Sequence, residues 1–170
     1  MKEETAKKIL VVDDEPHLVE VIANRLRVHH YEVLTAILGE EGFEKACTEM
    51  PDLILLDNVL PGRLGSDLVL KLRKKDSEFR KTPIIIVSGK GEMIYQKKSN
   101  EFKWLPNNPI TKTRGQLPDV RGAEALAQAY GVNDYVAKPF KIEILLEVVQ
   151  EVIKKTRKVT EEKTIEEPPI

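Results

Sequence analysis

Three acids and one lysine could do chemistry if the fold brought them together: Asp13, Asp14, Asp57 and Lys138. Each follows a short strand-like run. Leu53 to Leu56 runs into Asp57, Ile9 to Val12 into Asp13 and Asp14, Asp134 to Ala137 into Lys138, and Ile84 to Val87 into Ser88. An unbroken apolar run of this length fits a parallel strand buried on both faces. An acid at its carboxyl end is poor core filler, because burying it unpaired is costly. In open α/β sheets that edge is where ligands and chemistry sit. Three carboxylates converging there would repel one another strongly. A hard divalent cation with oxygen ligands relieves the repulsion, and Mg²⁺ is the ion expected. A hydroxyl (Ser88) and an ammonium (Lys138) flanking a metal-bound carboxylate make a site for a phosphoryl group. Asp57 would be the nucleophile, giving an acyl phosphate, with Mg²⁺ and Lys138 neutralising charge on the transferring oxygens.

The elements that must position these residues alternate along the chain. After the first strand, Pro16 suits the first turn of a helix, with Leu18, Val21, Ile22, Arg25 and Leu26 at helical spacing. Tyr31 to Thr35 reads as a second strand. Gly39 to Met50 reads as a helix presenting Phe43, Ala46, Cys47 and Met50 on one face, stopped by Pro51. After Asp57, Pro61 and Gly62 turn the chain, and Ser66 to Lys75 is a third helix with Leu68, Val69 and Leu72 inward. Pro83 opens the fourth strand. Gly122 to Tyr130 is a short Ala-rich helix closed by Gly131. The fifth strand follows, then the clearest amphipathic helix, with Ile142, Leu145, Leu146, Val149, Val152 and Ile153 on one face. Strands alternating with helices imply a parallel sheet covered on both faces. Right-handed crossovers leave few arrangements, and the flavodoxin-like (βα)5 order 2-1-3-4-5 is the natural one. The charged stretch 158–170, ending in Pro168-Pro169-Ile170, reads as a disordered tail after a domain spanning 1–157.

With these pieces in place the sequence resembles the receiver domain of two-component response regulators. The resemblance rests on Val11-Val12-Asp13-Asp14-Glu15-Pro16, on Asp57-Asn58-Val59-Leu60-Pro61 with Gly65, on Ser88-Gly89, and on Asp134 through Phe140 with its Lys138-Pro139. It covers about residues 7–89 and 120–156. It implies that a histidine kinase or phosphotransfer protein delivers a phosphoryl group to Asp57. It implies Mg²⁺ held by Asp14, Asp57 and the backbone carbonyl of Val59, with Asp13 acting mainly through water. Ser88 and Tyr135 fall at the family's switch positions, and family members keep a cis bond before the proline matching Pro139. Output would pass to a downstream protein through the face formed by the fourth helix, fifth strand and fifth helix. The expected molecule is a single-domain, cytoplasmic response regulator, a phosphoacceptor that at most assists its own phosphorylation and dephosphorylation. No DNA-recognition element is legible, so direct DNA binding is not expected.

One segment departs from the family pattern. Residues 90–119 carry no clear period and hold prolines at 106, 109 and 118, where most connections are about 4–6 residues long. From Lys90 to Arg121 there are seven basic and three acidic residues, a net of +4 in a chain whose total is −1. Tyr95, Phe102 and the sole tryptophan, Trp104, argue for partial order, since disordered segments are poor in such residues. The segment would be a lid over the site or a docking element for a partner, and docking is the preferred reading. It also supports a rival for the whole chain: a phosphorylation-independent interaction module acting through this insertion.

Plainer explanations apply to single residues. Asp favours helix caps and turns, but capping does not explain three acids and a lysine at strand ends. His29 and His30 are adjacent and do not face one side together, and His17 has no acid placed to make it a base, so all three read as surface residues. Cys47, the only cysteine, excludes an internal disulfide and reads as buried and inert. The near-neutral total charge gives no reason to expect nucleic acid or an anionic membrane as partner. A flavin-binding role is disfavoured because Asp13, Asp14 and Glu15 would repel a phosphate at the first strand–helix turn.

Overall fold

A computed structural model of the chain describes residues 6–61, 63–74, 81–88, 92–96, 101–105 and 131–165. In chain order its elements are β1 (Lys8–Val12), α1 (Pro16–Val28), β2 (Glu32–Ala36), α2 (Gly39–Glu49), β3 (Leu53–Asp57), β4 (Val59–Leu60), β5 (Arg63–Leu64), α3 (Gly65–Leu72), β6 (Ile84–Ser88), β7 (Glu92–Gln96), β8 (Glu101–Leu105), β9 (Asp134–Ala137) and α4 (Ile142–Ile165). The main sheet is parallel, in the order β2-β1-β3-β6-β9, which is the expected flavodoxin-like arrangement. The Ala-rich helix expected over 122–130 lies outside the described residues.

The apolar runs become strands because both of their faces are covered. Every residue of β3 is buried. Alternate strand residues feed two separate cores. Ile9, Val11, Leu53, Leu55, Ile85 and Val87 pack with Val19, Ile22 and Leu26 of α1 and Leu145, Val149 and Val152 of α4. Leu10, Val12, Ile54, Leu56, Ile84 and Ile86 pack on the other face with Ala46 of α2 and Leu68, Val69 and Leu72 of α3. The apolar stripe expected for α4 is therefore the buried one.

Three readings of the elements need correction. In α1 the buried set is Val19, Ile22, Ala23 and Leu26, and Val21 is exposed. In α2 the buried residues are Gly42 and Ala46, while Cys47 and Met50 are exposed. The cause is Gly42. A Cβ there would come within 2.8 Å of a Val12 methyl, so α2 approaches the sheet along its Gly42–Ala46 line and Cys47 turns outward. Third, α4 continues through Ile165, into the stretch expected to be a tail. Residues 142–165 contain neither Gly nor Pro, and Lys, Glu and Arg are good helix formers. No described helix is long and apolar enough to cross a membrane.

The inserted segment contributes the antiparallel strand pair β7–β8. Its register sets Met93 opposite Trp104 and Tyr95 opposite Phe102.

Candidate functional site

Sheet register alone gathers the chemical residues. β1 and β3 pair with Val12 opposite Leu56, so Asp13 and Asp57 emerge side by side. β3 and β6 pair with Asp57 opposite Val87, which puts Ser88 one step further out. Ser88 pairs with Ala137 of β9, and Lys138 is the next residue. Asp13, Asp57, Ser88 and Lys138 thus share one edge, as the sequence predicts. The Lys138–Pro139 bond is cis.

The Lys138 ammonium binds across this edge. Its Nζ lies 2.7 Å from Asp13 Oδ2, 2.8 Å from Asp57 Oδ2 and 3.0 Å from Glu15 Oε1. The second oxygens of both buried acids are also taken: Asp13 Oδ1 accepts the Glu15 backbone N–H at 2.9 Å, and Asp57 Oδ1 accepts the Val59 N–H at 2.8 Å. Burial pulls the ammonium's pKa down, but hydrogen bonds to Asp13, Asp57 and Glu15 outweigh it and raise the pKa above the ordinary lysine value. Burial pushes the Asp13 carboxyl up, against the lowering effect of Lys138 and the Glu15 N–H.

The loop after Asp57 is tightly built. β4 and β5 pair antiparallel, with Val59 opposite Leu64. The Gly65 N–H donates to Asn58 O at 2.8 Å. A Cβ on Gly65 would collide with the carbonyl oxygen of Asp57. Gly65→Ala should therefore displace the Asp57 backbone and destabilise the fold by about 1–3 kcal/mol, the usual cost of overpacking. Chemical denaturation checks this, and a variant as stable as wild type would show that the loop yields freely.

Carboxylate oxygens of Asp13, Asp14 and Asp57 lie within 4.8 Å of one another. Among the described residues the one ammonium ion-paired with Asp13 and Asp57 is Lys138. Clustered oxygen donors with an excess of negative charge suit a small hard cation such as Mg²⁺. Val59, the expected carbonyl ligand, lies in β4 beside Asp57. Tyr135 is half-buried and packs against the core cluster on the α2–α3 face. His17, His29 and His30 are exposed, as expected. Sequence reasoning missed Glu15. Its acidic type adjoining Asp13-Asp14 was the available signal, but its contact partner lies 123 positions away.

A sequence model described as "Response regulator receiver domain" matches residues 9–103. The chain belongs to this family. Receiver domains of this kind are parts of two-component systems. The response regulator ArlR of Staphylococcus aureus is 31% identical over 148 residues, which is 87% of this chain and 53% of ArlR. The chain thus spans about half the length of the curated relatives it matches. Among solved structures, a CheY-like response regulator receiver domain protein from Methanospirillum hungatei superimposes with a TM-score of 0.65 at 25% identity, covering 90% of this chain and 98% of that one. The chemotaxis response regulator CheY4 of Vibrio cholerae gives 0.61 at 26% identity, covering 87% and 99%. The receiver fold here carries acids at the ends of β1 and β3 and a lysine at the end of β9.

Proposed function

We propose that this receiver domain accepts a phosphoryl group on Asp57 from a histidine kinase or phosphotransfer protein, and that Mg²⁺ is required. The observation that carries this reading is the Lys138 ammonium bridging buried Asp13 and Asp57 at the register-defined edge. A carboxylate oxygen of Asp57 forms the new O–P bond as the donor's P–N bond breaks, and the leaving imidazole nitrogen takes a proton. Lys138 stabilises negative charge on the transferring oxygens from a fixed position. Asp14, Asp57 and the Val59 carbonyl would hold the Mg²⁺, with Asp13 as the outer acid. When bound, the ion supplies further charge neutralisation. Ser88 and Tyr135 act as the switch pair, and the chain acts as a phosphoacceptor rather than an enzyme with its own substrate. The reading places it in the cytoplasm and assigns it no DNA contact of its own.

Incubation with acetyl phosphate, with and without Mg²⁺, followed by intact mass tests this. A Mg²⁺-dependent gain of one phosphoryl group is expected. A chain that gains none from acetyl phosphate or from a cognate kinase would instead be the phosphorylation-independent interaction module.

The downstream partner would meet the face around β9 and α4, together with the inserted segment. Within that segment β7 pairs with β8, with Tyr95 in register with Phe102 and Met93 with Trp104, and aromatics are common interface anchors. Replacing Met93 to Pro118 by a short Gly/Ser linker should leave Asp57 phosphorylation intact and weaken binding of the partner. Unchanged partner binding would remove the docking role. A markedly faster loss of phosphate would point to a lid.

A further inference from the structure

Glu15 occupies the N-cap position of α1, where Ser, Thr, Asp or Asn would ordinarily bond the first-turn N–H groups. Its side chain makes no such bond. Its backbone is nevertheless pinned at both ends, the N–H to Asp13 Oδ1 at 2.9 Å and the carbonyl to the Val19 N–H at 3.0 Å. The carboxylate, freed from capping, reaches Lys138 Nζ at 3.0 Å.

A lysine ammonium has three N–H donors. Here it meets three carboxylates, one for each donor, with hydrogen bonds to Asp57 and Glu15 and an ion pair with Asp13. The three partners are not equivalent. The Asp13 and Asp57 side chains are 3% and 7% exposed, and each has its other oxygen held by a backbone N–H. The Glu15 side chain is 62% exposed. Moving Asp13 or Asp57 would strand a buried charge, which is costly. Moving Glu15 costs little, because water replaces the lost contact.

A phosphoryl group on Asp57 brings oxygens that need a donor from Lys138. We propose that Glu15 is a positioning residue that holds the third N–H of Lys138 in the unphosphorylated chain and yields it to the phosphoryl group. Glu15 then acts as a brake. It occupies a donor that the transferring oxygens need, and its negative charge opposes an anionic phosphoryl donor. This inference rests on the phosphoacceptor reading for its second half only. The hold on Lys138 exists before any transfer.

Two variants disturb the contact, one without the charge and one with it. Glu15→Gln removes the charge and weakens the contact. Glu15→Asp keeps the charge but shortens the arm by one methylene, about 1.5 Å, beyond hydrogen-bond reach of Nζ. First, lysine ammonium NMR of the unphosphorylated chain should show the Lys138 signal moved in both variants, with the distant Lys7 and Lys45 signals unmoved. An unmoved Lys138 signal overturns the hold. Second, phosphorylation by acetyl phosphate with Mg²⁺ should be about two- to five-fold faster in both variants, the range of a single exposed ion pair. Equal or slower rates in both variants, or a wild-type rate in Glu15→Asp, overturn the brake. If the wild-type chain takes up no phosphate, the phosphoacceptor reading fails, and the NMR result alone decides the hold on Lys138.

Discussion

Asp57→Asn is expected to abolish the Mg²⁺-dependent mass gain while leaving the chain folded. The amide is close to isosteric with the carboxylate, so the fully buried β3 strand that ends at position 57 keeps its packing. It can still accept the Val59 N–H that Asp57 Oδ1 accepts at 2.8 Å. What it lacks is a nucleophilic oxygen and the charge that pairs with Lys138. Removing one partner of a buried pair ordinarily costs about 3–5 kcal/mol, because a charge is left stranded. Here Lys138 keeps Asp13 at 2.7 Å and Glu15 at 3.0 Å, so the loss should be well below that range. Chemical denaturation and intact mass on the same preparation separate the effects. A variant that still gains a phosphoryl group places the acceptor elsewhere. A variant that fails to fold is replaced by Asp57→Glu, which keeps the charge and displaces the oxygen.

Much of this arrangement was legible because strand runs and the residue types ending them are local signals. Leu53 to Leu56 had to be buried on both faces, so Asp57 had to emerge at a sheet edge. The fold order then put Asp13 and Lys138 on either side of it. What was not legible depends on distances the chain does not encode locally. Phe43, Cys47 and Met50 share a helical face, so the pattern alone puts Cys47 in the core. Gly42 instead sets the closest approach to Val12, and a glycine does not register as apolar in a pattern count. The end of α4 is hidden in the sequence for a related reason. Charge suggested a solvated tail, whereas the absence of any helix breaker through Ile165 favours continuation. The β7–β8 pair was signalled only by its aromatics. Glu15 looked like an ordinary helix-start acid, and only its 3.0 Å contact with Lys138 makes it part of the site.

Lys138→Ala and Asp14→Ala should move Mg²⁺ affinity in opposite directions. Asp14→Ala removes a proposed Mg²⁺ ligand and one negative charge from the acidic cluster. Because changes even to residues supporting metal ligands cost about 10–100-fold in affinity, a loss of at least about tenfold is expected. Lys138→Ala removes the cation that now occupies Asp13 Oδ2 at 2.7 Å and Asp57 Oδ2 at 2.8 Å. Both oxygens become available and the cluster becomes more negative, so Mg²⁺ should bind as well or better. The same change leaves two buried carboxylates without their ammonium, which should destabilise the metal-free chain by about 3–5 kcal/mol. On the proposed metal role, added Mg²⁺ would bind the folded state in preference to the unfolded one, so it should restore much of that loss. The melting temperature of Lys138→Ala should therefore rise more steeply with Mg²⁺ than that of the wild type, while Asp14→Ala should barely respond. Phosphoryl signalling should fail in Lys138→Ala even when Mg²⁺ is saturating, because stabilisation of the transferring oxygens from that side is gone. A titration with the reverse ranking of affinities would assign metal binding to Lys138's neighbourhood in some other way and would remove Asp14 from the ligand set.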